Sequence, residues 1–168
     1  MDNLEVDSVI YQPAVDKTWH PLYGERSTIH DAYNAATMYL SKKDGSNYRL
    51  NIEVRAYDEG IAFRYFFPEH PQAIFHKVVG DLTEYTFSPG AMAWAEQWAQ
   101  APFEHLAIND IKQPVERALT VELSNGLWVA LTDADVDDWC LTKLVASPTK
   151  QNTLTSVMYS PVDIVTYY

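Results

Sequence analysis

Four aspartates close together form the cluster of this sequence that is best suited to binding a cation. They are Asp133, Asp135, Asp137 and Asp138. Carboxylate oxygens at alternating positions are ligands that a hard cation such as Ca²⁺ prefers. The cluster does not match an EF-hand loop, because Asp138 and Leu144 stand where that loop has its glycine and its last glutamate. We interpret it as a solvated acidic strand end, with calcium binding by this chain alone as the alternative.

Glutamates are numerous enough to supply the carboxyl pair of a glycoside hydrolase, whose two groups lie about 5–9.5 Å apart. The candidates are Glu53, Glu59, Glu84 and Glu104. Nothing in their spacing selects a pair, and the five histidines lack the i, i+3 or i+4 spacing of a zinc-binding helix. We therefore predict no catalytic residue in this chain.

Aromatic and charged side chains give two further candidates for ligand binding. Five tryptophans could stack on sugar rings, although most tryptophans of a globular domain belong to its core. Arg55, Glu59 and Arg64 flank a predicted turn and could face a ligand or a neighbouring domain. Cross-strand ion pairing, worth about 0.2–1 kcal/mol, is the interpretation that we favour for these charges.

Two hairpins are expected to position these residues. Apolar residues alternate with polar ones over residues 50–54 and 61–67, on either side of a turn at residues 57–60. Residues 119–123 and 127–131 alternate in the same way and flank Asn125-Gly126, a pair that tolerates positive φ. Alternation on both sides of each turn predicts strands with one buried face.

Weaker strand signals lie at residues 74–79, 83–87, 153–159 and 163–168. Two alanine-rich stretches are ambiguous between helix and strand. We interpret residues 31–40 as a strand because Tyr33, Ala35, Thr37 and Tyr39 alternate and fall on one side, and residues 91–100 as a loop with one helical turn. The whole pattern predicts an all-β chain, an antiparallel β-sandwich with the two hairpins at its centre. If the Phe63 ring lies in the core, its change to Ala should cost about 3–5 kcal/mol.

Size and charge limit the other possibilities. The 168 residues predict a single domain over residues 1–168, too short for a sandwich together with a (β/α)8 barrel. A formal charge of −11 argues against nucleic acid and against a membrane surface as partners. A single cysteine excludes an internal disulfide, and residues 1–11 contain no apolar run of the kind found in a signal peptide.

Residues 55–65, Arg-Ala-Tyr-Asp-Glu-Gly-Ile-Ala-Phe-Arg-Tyr, carry a resemblance to a known family. They are similar to the hallmark hairpin of the N-terminal β-sandwich domain of glycoside hydrolase family 97. Supporting matches follow in order from Trp19 to Leu144, and they include Pro21, Tyr23-Gly24-Glu25, Tyr33-Asn34, Glu84-Tyr85-Thr86-Phe87, Ala93-Trp94, Phe103-Glu104 and residues 130–135. The chain thus resembles the later part of that domain.

The resemblance implies a function for the parent protein rather than for this chain. Enzymes of the family carry a β-super-sandwich of the galactose-mutarotase type, then a (β/α)8 barrel and a small β domain, and they hydrolyse α-glucosides or α-galactosides with calcium. Their catalytic carboxylates lie on the barrel, and the proteins are periplasmic or secreted. A non-catalytic domain is therefore expected, with the barrel and a carbohydrate as its partners.

The resemblance also assigns a role to the acidic cluster. In the family a glutamate reaches from the sandwich to the calcium ion, and by position Asp133 takes this role with a side chain that is one methylene shorter. Asp135 is the weaker candidate. Calcium is accordingly the expected cofactor.

Besides the aspartate at position 133, the chain departs from the family on its N-terminal side. Only eighteen residues precede Trp19, where family members carry several strands, so we expect a truncated sandwich with uncovered strand edges. Such edges recruit partners, and residues 162–168 are a plausible donor for pairing in a homo-oligomer. A supporting domain is thus the leading hypothesis, a free-standing carbohydrate-binding or oligomerising module the second, and an enzyme acting alone the last.

Overall fold

The computed structural model describes residues 3–46, 48–69, 75–134, 136, 139–159 and 162–165. Its contacts divide the chain into two compact units, Met1–His76 with Val165–Tyr168, and Lys77–Ile164. Each unit is described by itself below. The prediction of one domain over residues 1–168 stays a prediction.

The first unit contains one antiparallel sheet. Its strands are β1 (Leu4–Tyr11), β2 (Val15–Trp19), β3 (Ile29–Lys42), β4 (Arg49–Tyr57) and β5 (Gly60–Phe66). They follow the order β1-β3-β4-β5, and β2 pairs with the N-terminal part of β3. The strand predicted at residues 31–40 is confirmed as part of β3. Strands β1 and β2 were not predicted.

The register of this sheet separates an apolar face from a polar one. Val9, Met38, Ile52 and Tyr65 are opposite one another in adjacent strands and therefore share a face. Thr37, Glu53 and Arg64 form a corresponding row on the other face. The hairpin of β4 and β5, predicted from alternation, is thereby confirmed, with Tyr57 opposite Gly60 across its turn.

The second unit is a sandwich of two antiparallel sheets. Its strands are β7 (Glu84–Thr86), β8 (Met92–Ala95), β9 (Glu104–Ala107), β10 (Leu119–Glu122), β11 (Trp128–Leu131), β12 (Thr142–Ala146) and β13 (Thr153–Met158). One sheet has the order β11-β10-β8-β9 and the other the order β12-β13-β7. A 3₁₀ turn at Ile108–Asp110 follows β9. The predicted antiparallel β-sandwich is confirmed.

Both sheets of the second unit contribute to one apolar core. Ala93 and Val121 from the four-stranded sheet pack in the same cluster as Leu144 and Leu154 from the three-stranded sheet, and all are essentially inaccessible to solvent. Burial of such alternating apolar faces is the main force that holds two sheets together. The outer positions of β8 and β11 carry the half-exposed Trp94 and the exposed Trp128.

The hairpin of β10 and β11 forms as predicted. Leu119 is opposite Leu131, and Gly126 takes a φ of 84° in the turn between the strands. The Leu123 N–H donates to the Leu127 carbonyl at 2.8 Å, which closes the turn. Positive φ at this point explains the glycine.

The weaker strand predictions have mixed outcomes. Strand β6 (Phe75–Val78), β7 and β13 lie within predicted segments, and β14 (Val162–Val165) overlaps the predicted segment 163–168, whose last three residues lie outside the described part. Strands β6 and β14 pair with each other. Residues 162–165, predicted as a donor to a second chain, therefore already pair within this chain.

Two expectations were wrong. Residues 91–100 were expected to form a loop with a helical turn, but Met92–Ala95 is a strand, because the buried Ala93 and Ala95 alternate with Trp94. The two hairpins are not central, since β5 and β11 end their sheets as far as the described residues form them. Phe63 is 42% exposed, so the condition attached to its cost, burial of the ring in the core, is not met.

Candidate functional site

Asp133 follows β11 and lies at the end of the sandwich in the second unit. Leu119 pairs with Leu131 at the open end of the hairpin, and Arg117 and Asp133 each lie two residues beyond this pair. Their side chains meet there, with Arg117 Nη1 2.9 Å from Asp133 Oδ1. The pair thus lies beyond the last apolar residues of the hairpin.

Side chains of the opposite sheet complete a polar network around this ion pair. Thr142 Oγ1 donates to Asp133 Oδ2 at 3.1 Å, and Arg117 Nη2 donates to Ser156 Oγ at 2.9 Å. The Arg117 guanidinium also lies over the ring of Tyr85, 5.4 Å from its centre, with Nη1 3.4 Å from the Tyr85 hydroxyl. The network therefore ties the hairpin of one sheet to all three strands of the other.

Burial makes this arrangement electrostatically important. The Arg117 side chain is only 4% exposed, whereas that of Asp133 is 26% exposed. The Nε of Arg117 is buried without a hydrogen-bond partner. A buried guanidinium is costly unless a carboxylate compensates its charge. In this network Asp133 is that carboxylate, and it keeps an edge open to solvent.

Calcium is the cofactor that the resemblance implies for Asp133. Each carboxylate oxygen already accepts one hydrogen bond but retains a further lone pair. A calcium shell takes about six to eight oxygens, and the described residues contain no group of three or more His, Cys, Asp or Glu side chains that could hold a metal. Asp135, Asp137 and Asp138 lie outside the described residues. The Asp133 carboxylate therefore has the chemistry of one calcium ligand, and calcium as a cofactor stays a prediction.

Cross-strand ion pairing was expected for the charged residues of the first hairpin, and the two arginines differ in this respect. Arg64 Nε donates to Glu53 Oε2 at 2.7 Å across β4 and β5, so cross-strand pairing is correct for Arg64. Arg55 instead lies over the Tyr33 ring, 4.6 Å from its centre. A side-chain hydrogen bond with Tyr57 raises the pKa of the Arg55 guanidinium. Arg55 is therefore held by aromatic neighbours on its own face of the sheet.

A groove of about 370 Å³ lies beside Arg55 on the same face. Its lining includes Gln12, Tyr33, Ala35 and Glu53. Aromatic, amide, guanidinium and carboxylate groups around an open groove are able to bind a neutral polar ligand. The Glu53 carboxylate forms an ion pair with Arg64, so it is not free to act as a catalytic group on a ligand in the groove.

The other candidates from the sequence are dispersed. Glu84 pairs with Lys150, and Glu104 is an exposed residue of β9. His105 stacks on Trp94 with ring centres 4.5 Å apart, and His30 bonds Asp16 at 2.8 Å. Their different positions give no common site among the residues that the structure describes.

The residues that matter most around Asp133 were not predicted. Arg117, Tyr85, Thr142 and Ser156 belong to four separate segments, so no local motif connects them. One signal was present, because Arg117 precedes Leu119 and Val121 at the spacing of a single strand face. A charged residue in that position indicates a buried partner.

Comparisons with known proteins bear on the family and the fold. The sequence model described as Glycosyl-hydrolase 97 N-terminal matches residues 1–162, further toward both ends than the motifs between Trp19 and Leu144. No helix in the described part of the chain has the length and apolar character needed to cross a membrane.

Solved structures of low sequence identity share the fold. Glycoside hydrolase family 97 enzymes from Pseudoalteromonas sp. strain K8, one in complex with panose and one with acarbose, superpose with a TM-score of 0.85 at 18% identity, over 98% of this chain and 27% of theirs. A β-arabinopyranosidase superposes with a TM-score of 0.85 at 16% identity, over 98% of this chain and 30% of its own. This chain spans less than a third of those proteins. By its sequence match it belongs to the glycosyl-hydrolase 97 N-terminal family.

Proposed function

We propose that this chain is the non-catalytic β-sandwich of a glycoside hydrolase, which packs on a catalytic barrel and contributes one calcium ligand, Asp133. The observation that carries the proposal is that the Asp133 carboxylate is both held in place and partly exposed. Arg117 and Thr142 hold it at the end of the sandwich, while 26% of the side chain stays accessible. A carboxylate oriented in advance loses little freedom when it completes the shell of an ion held mainly by another domain.

Substrate and location follow the family in this proposal. The barrel acts on an α-glucoside or α-galactoside, and the parent protein is periplasmic or secreted. Support comes from the family match and from solved relatives that hold panose or acarbose. The net charge of −11 suits a neutral sugar and a cation better than an anionic substrate.

Association with a barrel tests the proposal directly. The purified chain is titrated into the barrel of a family 97 enzyme from which its own N-terminal domain has been removed, with calcium and with a chelator. We expect binding that calcium strengthens, and an Asp133→Asn variant that binds equally with and without calcium. Asp58→Asn, in the exposed turn of the first hairpin, serves as the matched control. The proposal is contradicted if the wild type does not bind the barrel, or if it binds with the same affinity in calcium and in chelator.

A second candidate function is carbohydrate binding by the chain itself, and the groove beside Arg55 is the observation that favours it. Isothermal titration with maltose and galactose oligomers, with and without calcium, measures this binding. Tyr33→Ala removes one wall of the groove and the ring beneath Arg55. Tyr23→Ala removes a ring that is 91% exposed and does not line the groove. Binding that only Tyr33→Ala abolishes would establish this function, whereas no heat with either sugar would exclude it.

A further inference from the structure

We infer that Arg117 is the positioning residue for Asp133, a role that rests on the proposed function of that carboxylate. Arg117 Nη1 reaches Asp133 Oδ1 at 2.9 Å, while Nη2 is fixed at 2.9 Å from Ser156 Oγ. The planar guanidinium thereby links Ser156, in the three-stranded sheet, to the carboxylate of Asp133, which follows the last strand of the other sheet. Asp133 is thus oriented by the sandwich before any ion or barrel binds.

The surroundings of Arg117 explain why an arginine performs this task. Ser156 is 3% exposed and Thr142 is 2% exposed, so both partners lie in well-packed parts of the sheet. The ring of Tyr85 supports one face of the guanidinium. A lysine keeps the charge, but its three N–H donors lie on one nitrogen without the rigid planar fork, so it cannot hold Asp133 and Ser156 in the same geometry. Orientation and charge can therefore be separated by one substitution.

The same arrangement predicts weak metal binding by the chain alone. The buried charge of Arg117 compensates that of Asp133, and a cation at this carboxylate must tolerate the guanidinium beside it. Thr142 and Arg117 each occupy one lone pair of the carboxylate. The ion consequently needs further oxygen ligands besides this carboxylate, and Asp133 supplies a fixed direction rather than most of the affinity.

The first measurement uses no metal. Amide hydrogen exchange is followed at residues 132–134 in the wild type, in Arg117→Lys and in Arg64→Lys, a matched control that alters an exposed ion pair of the first unit. We expect Arg117→Lys to accelerate exchange about tenfold, as loss of a hydrogen bond between charged groups implies, with an unchanged circular-dichroism spectrum. Arg64→Lys should leave the segment unaffected. Unchanged exchange in a folded Arg117→Lys variant overturns the inference.

A second measurement separates this inference from the proposed function. Terbium, which occupies calcium sites, is titrated into the wild type, Asp133→Asn and Arg117→Lys. We expect the affinity of the Asp133-dependent site to fall at least about threefold in Arg117→Lys, because the charge stays and only the orientation changes. If Asp133→Asn binds terbium as the wild type does, the ligand role fails, while the exchange data still decide whether Arg117 positions Asp133.

A variant set guards against loss of folding. If Arg117→Lys does not fold, Ser156→Ala and Tyr85→Phe remove the bonds that fix the guanidinium and leave the Arg117–Asp133 pair in place. Faster exchange at residues 132–134 in Ser156→Ala supports the inference. Protection equal to that of the wild type in both variants overturns it, because the guanidinium would then need no anchoring.

Discussion

Leu144 on β12 gives the sharpest test of the core of the second unit. Its side chain is fully buried, and its backbone pairs with Val115 as well as with Ser156. Changing Leu144 to Ala removes three carbon atoms from the core, and their transfer to water costs about 2.4 kcal/mol at roughly 0.8 kcal/mol each. The cavity adds to this cost, because the surrounding core relaxes only in part around the missing atoms. We expect a total loss of about 3–4 kcal/mol in the free energy of unfolding.

Urea denaturation followed by circular dichroism measures this loss. The matched control is Leu127→Ala, the same chemical change at a side chain that is 62% exposed in the turn of the second hairpin. It should alter the free energy of unfolding by about 0.5 kcal/mol or less. Equal losses for the two variants would show that the sheets do not pack as described. A loss below about 1 kcal/mol for Leu144→Ala would have the same meaning.

Four further outcomes are expected. Gly126→Ala should cost about 1–2 kcal/mol because its φ is 84°, whereas Gly60→Ala, at a position with open space and ordinary φ, should be nearly neutral in the same urea assay. Phe63→Ala should cost about 1–2 kcal/mol, less than the 3–5 kcal/mol of a core ring, since the side chain is 42% exposed. The hydrogen bond from Lys43 lowers the pKa of Asp7 from its ordinary 3.8. The stabilisation that this pair gives the fold is therefore present above pH 3.8 and is lost as the pH falls. The urea midpoints of the wild type and of Lys43→Met should differ at about pH 6 and converge near pH 2. Light scattering at micromolar concentration should report a dimer or larger oligomer, because Val6, Val9 and Phe63 remain exposed on the apolar face of the first sheet, and a monomer would contradict this.

Much of the fold could be predicted because the signals are local. Alternation of apolar residues, with Asp58-Glu59 or Asn125-Gly126 between the runs, is enough to predict both hairpins. The strand at Met92–Ala95 was missed because alanine favours helices, while its burial here depends on strands β9 and β10. Strand β1 was missed because its exposed residues give only a weak alternating pattern, and its partner β3 begins far along the chain.

The site could be predicted only in part. Resemblance to the family indicated Asp133 as a calcium ligand, which stays a prediction, whereas the hydrogen-bond partners of Asp133 are determined by the packing of two sheets. Nothing in the sequence distinguishes Thr142 and Ser156 from other hydroxyl residues. They become hydrogen-bond partners of the ion pair only when β12 and β13 face the hairpin. Arg117 could have been suspected from its inner-face position, since a buried charge requires a counter-ion.

The claim that the chain is a non-catalytic domain is tested most directly by an assay of hydrolysis. The purified chain is incubated with p-nitrophenyl α-glucoside and α-galactoside in the presence of calcium, beside the Glu104→Gln and Asp133→Asn variants. We predict no release of p-nitrophenol above background from any of the three proteins. Turnover by the wild type that either substitution abolishes would contradict the account.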